Sequence, residues 1–262
     1  MPRAAVLVVL PTLGDRLEML AQTLATVQQQ RQSVELTLVA VMPTSAVEAR
    51  AMALSAGAIV VDDPRTGISE AINCGLAQRN GESYYAWIGD DDLFRPNGLC
   101  TLKRMLDADS TAVLAYGGCD YIDPNGLTIA TSNAGELAKF LLPWGPDLIP
   151  HPGTMIRLDA LQEIGGFDST LKYAMDLDAF LKLREHGAFI CTRGTVSAFR
   201  WHPDSLTVAG RLNSSKEAEL VKRRYLPPAL RPLSPVWHLP VRWASAIAAK
   251  RVSARARQLA NQ

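Results

Sequence analysis

Short, unbroken apolar runs along this chain alternate with longer stretches in which apolar residues recur every three or four positions. The run Val6-Leu7-Val8-Val9-Leu10, closed by Pro11, predicts a strand buried on both faces. From Asp15 to Gln30, the residues Leu17, Leu20, Leu24 and Val27 share one face of a helix. A second unit follows, with Leu36–Val41 as strand and Ser45 placed to cap an alanine-rich helix that ends near Ser55. A third runs from the strand Ala58–Val61 through a helix over Ser69–Arg79 to the strand Tyr84–Ile88. After a helix from Pro96 to Leu106, the strand Ala112–Tyr116 and the turn Asp123-Pro124-Asn125-Gly126 predict a hairpin, so the second half is more mixed. This alternation makes an α/β fold with a mostly parallel central sheet and helices on both faces. In such sheets ligands bind beyond the carboxyl ends of the strands.

With 262 residues and 48% hydrophobic content, the chain can bury a full core, which excludes global disorder. The apolar run that ends at Pro11 is far shorter than the roughly 18 residues of a membrane span, and it lacks the flanks of a signal peptide. Cys74, Cys100, Cys119 and Cys191 are scattered and form no CxxC pair, so neither a zinc site nor a disulfide framework is expected. Together these point to a cytoplasmic protein. Charge adds a division: residues 211–262 hold 11 lysines and arginines against two acids, Glu217 and Glu219, while 16 basic and 24 acidic residues lie upstream. A basic tail that also carries Trp237 and Trp243, with a helix expected over Val241–Gln258, suits the surface of an anionic membrane or the acidic body itself. Nucleic acid is not an expected partner, because the acidic body would repel its phosphates.

Candidate chemistry centres on Asp90-Asp91-Asp92, directly after an apolar strand. Adjacent carboxylates raise each other's pKa unless a cation neutralises them. Hard oxygen ligands without nearby Cys or His select Mg2+ or Mn2+. The other reading of the triplet is an exposed acidic loop that caps the next helix. For Asp176, likewise, a carboxylate that favours a helix dipole is the plain reading.

Context decides between them. The stretch Thr66-Gly67-Ile68-Ser69-Glu70-Ala71-Ile72-Asn73-Cys74-Gly75-Leu76-Ala77, with Asn80-Gly81-Glu82 and then Gly89-Asp90-Asp91-Asp92-Leu93-Phe94, resembles the family 2 glycosyltransferases of GT-A fold. Pro11-Thr12, Asn97-Gly98-Leu99, His151-Pro152-Gly153, Ile164-Gly165-Gly166-Phe167-Asp168 and Tyr173-Ala174-Met175-Asp176-Leu177-Asp178 extend the resemblance in order. It implies one GT-A type domain over residues 1–210, with a nucleotide-sugar half up to about 110 and an acceptor half beyond, followed by the tail 211–262. It also implies sugar transfer from a nucleotide-diphosphate sugar to a hydroxyl of a saccharide or lipid-linked acceptor, with inversion. Residue by residue, the resemblance places the nucleotide sugar at Pro11, Thr12, Arg65, Gly67, Asn73 and Asp90, and the divalent metal at Asp91 and Asp92. Asp176 matches the general base that takes the acceptor's proton. His202 matches a position for metal or diphosphate contact, with simple hydrogen bonding as the other reading. His151 and Gly166 fall on the acceptor side.

The sequence departs from the family pattern at Val41-Met42-Pro43-Thr44-Ser45, where many relatives have an acid that reads the base, at Arg65, and at Met175 before the presumed base. The donor's base and sugar therefore stay open. Two alternatives remain: a catalytically degenerate nucleotide-binding or scaffold module, and a sugar nucleotidyltransferase. The second lacks its glycine-rich opening here, since the chain has Pro11-Thr12-Leu13-Gly14-Asp15.

Overall fold

A computed structural model describes residues 5–133, 135–201, 210–237, 239–240, 243, 247 and 254. The order of elements is β1 (Val6–Pro11), α1 (Leu17–Gln30), β2 (Leu36–Met42), α2 (Val47–Ser55), β3 (Ile59–Asp62), α3 (Ile68–Leu76), β4 (Tyr84–Trp87), β5 (Leu93–Phe94) and α4 (Gly98–Ala108). The second half contains β6 (Ala112–Ile122), β7 (Thr128–Ser132), α5 (Gly135–Leu141), a 3-10 turn at His151–Gly153, β8 (Thr154–Arg157), α6 (Leu158–Glu163), α7 (Met175–Leu183), β9 (Ala188–Arg200) and α8 (Arg211–Tyr225).

Among the described residues one sheet takes the order β3-β2-β1-β4-β8-β6-β9-β5, with β7 hydrogen-bonded to β6. β1 pairs in parallel with both β2 and β4, and β2 with β3, as expected for consecutive β-α units. Mixing enters where β8 inserts antiparallel between β4 and β6, and where β6 and β7 form the hairpin around Asp123–Gly126. Every residue of β1 is buried, because side chains alternate across a sheet covered on both faces. Leu7 and Val9 join the core under α3 and α7, whereas Val6, Val8 and Leu10 join the core under α1, α2 and α4. Gly75 lets α3 lie close to β1, since a Cβ there would sit 2.4 Å from Val9 Cγ1.

Boundaries moved where local chemistry was misread. Helix α1 starts at Leu17, because Arg16 has left helical geometry to reach across the molecule. Helix α2 has Ala46 as its N-cap with no side-chain cap, so Ser45 does not play that part. Helix α4 begins at Gly98, after Asn97 has turned through the left-handed region at φ 58°. The expected Val241–Gln258 helix lies almost wholly outside the described residues. Helix α8, which opens the basic segment, packs against α7 and buries Val221 in the core beneath it. Among the described residues no helix is long and apolar enough to cross a membrane.

Candidate active site

Strand β4 ends at Trp87, and the chain then turns through Gly89 into the acidic triplet at the carboxyl edge of the sheet. The turn closes through Asp92 N–H to Gly89 O at 3.3 Å. Asp90 is 2% exposed: Thr12 Oγ1 donates to its Oδ2, and Arg16 Nη2 reaches its Oδ1 at 2.5 Å. The other arm of the same guanidinium, Nη1, lies 2.8 Å from Asp91 Oδ2. Burial pushes the Asp90 carboxyl up to about 6, with Arg16 and Thr12 pulling it back down. Burial likewise holds the Asp92 carboxyl well above the usual range, with Asp91 adding to it.

Arg200, the last residue of β9, fixes the triplet from behind. It is fully buried, its backbone N–H donates to Asp92 Oδ1 at 3.0 Å, and its Nε donates to Asp91 O at 2.9 Å. Nη1 donates to Asp123 O and Pro124 O, and Nη2 to Gln22 Oε1 at 2.7 Å. Thr23 Oγ1 completes the frame by donating to Asp92 O at 2.8 Å.

The donor set fits a divalent cation that shares its ligands with phosphate. Asp91 Oδ1 and Asp92 Oδ2 both turn over Gly89, where a Cβ would lie 2.8 Å and 3.3 Å from them. Only glycine leaves that space open. Among the described residues, no group of three or more His, Cys, Asp or Glu is arranged to hold a metal by protein ligands alone. Two hard carboxylate oxygens, completed by phosphates and water, match how Mg2+ is commonly held.

The opposite wall comes from the second half. Asp176 stands in the first turn of α7, and its Oδ2 faces His151 Nδ1 at 3.2 Å. Burial lowers the His151 pKa, although Asp176 raises it in part, which favours the neutral ring, and a proton on Nδ1 would make this contact a hydrogen bond to the carboxylate. Trp87 packs its ring 3.7 Å from that of His151, and Phe180 stacks at 6.3 Å on the same imidazole. Between the two walls lies a cleft of about 580 Å3, in the size range of small-ligand sites. Tyr121, Phe199 and Trp201 form an aromatic cluster along it, and Lys222 of α8 reaches it while donating to Gly145 O.

Because folding withholds a proton from His151, the unfolded chain protonates first as pH falls below the ordinary histidine pKa of about 6.5. The stability this group contributes is present above that pH and is lost as pH falls towards the lower folded value. Asp90, Asp92 and Asp147, whose carboxyls are raised by burial, add stability as pH falls over the same range, so the His151 contribution is read as a difference: from pH 7 to pH 5 the wild-type melting midpoint should drop relative to that of His151→Gln. Equal slopes for the two proteins would refute this.

Pro11, Asp90, Asp91, Asp92, His151 and Asp176 all line the cleft, and Thr12 backs Asp90. Arg65 and Gly67 lie in the exposed β3–α3 loop, with Arg65 in the left-handed region at φ 63°. Asn73 spends both ends of its amide on the backbone of Phe167, at 2.8 Å and 3.0 Å, and so pins that turn. Gly166 packs on the same amide, where a Cβ would sit 2.9 Å from Asn73 Oδ1, and it does not line the cleft. His202 lies outside the described residues. Arg16, Trp87, Lys222 and Arg200 were not anticipated; Arg16 and Arg200 reach the triplet, and Trp87 reaches His151, through contacts distant in sequence.

Residues 7–165 match the family model for glycosyl transferase family 2. An uncharacterized glycosyltransferase of Rickettsia typhi is 27% identical over 167 residues, which is 61% of this chain and 52% of that protein. An uncharacterized glycosyltransferase of Rickettsia prowazekii is 29% identical over 123 residues, 44% of this chain and 38% of the relative, so the match spans about half or less of either rickettsial protein. Chondroitin synthase of Pasteurella multocida is 31% identical over 133 residues, 50% of this chain but 13% of that one. Among solved structures, the mannosyltransferase PcManGT of Pyrobaculum calidifontis, in complex with GDP-Man and Mn2+, superposes with a TM-score of 0.66 at 19% identity, covering 99% of this chain and 79% of its own. S. aureus TarS 1-349 in complex with UDP-GlcNAc gives 0.64 at 13% identity, covering 86% and 69%. At those identities the structures establish the GT-A type fold, and the sequence match, running from the first strand to the turn after α6 with the acidic triplet inside it, makes this chain a member of glycosyl transferase family 2.

Proposed function

We propose that the protein transfers a sugar, with inversion, from a nucleotide-diphosphate sugar to a hydroxyl of a saccharide or lipid-linked acceptor. One observation carries this reading: an acidic triplet and a histidine-paired carboxylate face each other across one cleft. The neighbours solved with UDP-GlcNAc and with GDP-Man support a UDP- or GDP-linked donor. In this reading Asp91 and Asp92 hold Mn2+ or Mg2+, which when bound offsets the charge that grows on the departing diphosphate. Asp90, buried between Thr12 and Arg16, fixes the turn that carries them. Asp176 takes the acceptor's hydroxyl proton as the acceptor oxygen bonds the anomeric carbon and the bond from that carbon to the diphosphate breaks. His151, neutral and donating through Nδ1, holds the carboxylate in place and leaves it able to accept that proton.

The test is thermal melting with UDP and GDP, each with and without Mn2+, on the wild type and on Asp91→Ala. A ligand that binds only the folded state raises the midpoint. A Mn2+-dependent rise for one nucleotide, lost in the variant, is the expected result. No rise with either at saturating Mn2+ would favour a degenerate binding module.

Arg16 supplies a further expectation. Its guanidinium already neutralises Asp90 and Asp91 from the oxygens that do not face Gly89, so an arriving cation meets a carboxylate whose charge is shared and a positive neighbour that repels it. Arg16→Ala should tighten Mn2+ binding roughly tenfold, about 1.4 kcal/mol, as read by calorimetry without nucleotide. Unchanged or weaker binding would show that Arg16 does not compete.

Peripheral contact with an anionic membrane is part of the same proposal. Leu137 and Phe140 are exposed on α5, and Trp144 packs at 5.7 Å on Trp237 beside the basic segment. A vesicle containing phosphatidylserine should retain the wild type and release a Phe140→Ala, Trp237→Ala double variant; equal retention would remove this part.

A further inference from the structure

We infer that Glu217 is a positioning residue for Asp176, an assignment that rests on the reading of Asp176 as the base. Helix α7 begins directly after Lys172, Tyr173 and Ala174, whose N–H groups precede its first turn and have no partner within the helix. All three donate to the carboxylate of Glu217 on α8, more than forty residues along the chain: Lys172 N–H at 3.1 Å to Oε1, Tyr173 N–H at 2.5 Å and Ala174 N–H at 2.7 Å to Oε2. Consecutive backbone N–H groups converging on one carboxylate make a rigid anion nest, and here the anion belongs to the protein. Helix α8 holds the far side of Asp176 as well. Tyr225 Oη–H donates to Asp178 Oδ1 at 2.8 Å and Arg224 Nη1 lies 3.8 Å from the same oxygen, while Arg224 also reaches back to Asp168 Oδ2, ahead of the nest, at 3.1 Å. At the start of α8, Gly210 lies against the Tyr173 ring so closely that a Cβ would be 2.5 Å from it. The segment carrying Asp176 is thus held at both ends by one helix, and Glu217 sets the backbone just before the carboxylate meets His151.

The consequence lies in the geometry of the Asp176–His151 pair more than in whether the protein folds. The imidazole 15N spectrum reads it without any substrate; the His151 signals are those missing in His151→Gln. The wild type should show His151 as the Nδ1–H tautomer. In Glu217→Ala those signals should move towards the averaged position of a free imidazole. Glu217→Gln keeps one acceptor oxygen and should fall between the two. Tyr225→Phe loosens the same helix without touching the nest, so it should lower the melting midpoint and leave His151 as in the wild type. A wild-type His151 spectrum in Glu217→Ala, or a Tyr225→Phe spectrum displaced as far as that of Glu217→Ala, overturns the inference. Turnover separates it from the parent reading. Full activity in Asp176→Asn would sink the assignment of the base, whereas an inactive Asp176→Asn beside a fully active Glu217→Ala would sink this inference alone.

Discussion

Asp176→Asn should lower turnover about 10²- to 10⁴-fold, the range over which a positioned general base acts, with donor KM within about twofold of the wild type. Asparagine preserves the shape, and its amide oxygen can still accept from His151 Nδ1–H, so the cleft keeps its outline. What is lost is the ability to accept a proton. The donor is expected to be held on the other wall, around the triplet, which is why its KM should hardly move. Initial rates of UDP or GDP release, with whichever donor nucleotide stabilises the protein, would check this. A large rise in donor KM with turnover preserved would place Asp176 in donor binding instead.

Arg200→Met should cost about 3–5 kcal/mol of stability, as when one partner is removed from a buried charged network. Methionine fills much of the arginine's volume but donates nothing. The carbonyls of Asp91, Asp123 and Pro124 and the Gln22 amide would lose their donor, and the carboxylate of Asp92 would lose a nearby positive charge in a buried setting. For a chain of this size that corresponds to a fall in Tm of roughly 10 °C or more. Urea denaturation would measure it directly, and a loss below about 1 kcal/mol would show that these bonds are replaced by water. Nucleotide binding should weaken too, because Arg200 holds the backbone from which Asp91 projects.

Much of the architecture was readable because it depends on local pattern. The fully apolar run at Val6–Leu10 could only be a strand covered on both faces, and Leu17, Leu20, Leu24 and Val27 could only be the inner face of α1. The Asp123–Gly126 turn announced the β6–β7 hairpin through residues whose backbone preferences are intrinsic. Errors arose where a distant partner outweighed local preference. Arg16 left the helix that its neighbours begin because two carboxylates some 75 positions away hold its guanidinium. Asn73 likewise finds its partner at a distance, since the backbone of Phe167, 94 positions on, takes both ends of its amide.

The sequence by itself determined the alternation of strands and helices, the placement of three aspartates at a strand's carboxyl end, and the ordered motifs that mark the family. Each follows from residue type and spacing along a few turns of chain. Only the tertiary structure decided which aspartate oxygens turn over Gly89, that His151 turns Nδ1 to Asp176, and that the basic segment opens with a helix gripping the loop ahead of α7. These are relations between groups tens of residues apart, fixed by how buried charges find partners once the sheet has closed, and no local pattern encodes them.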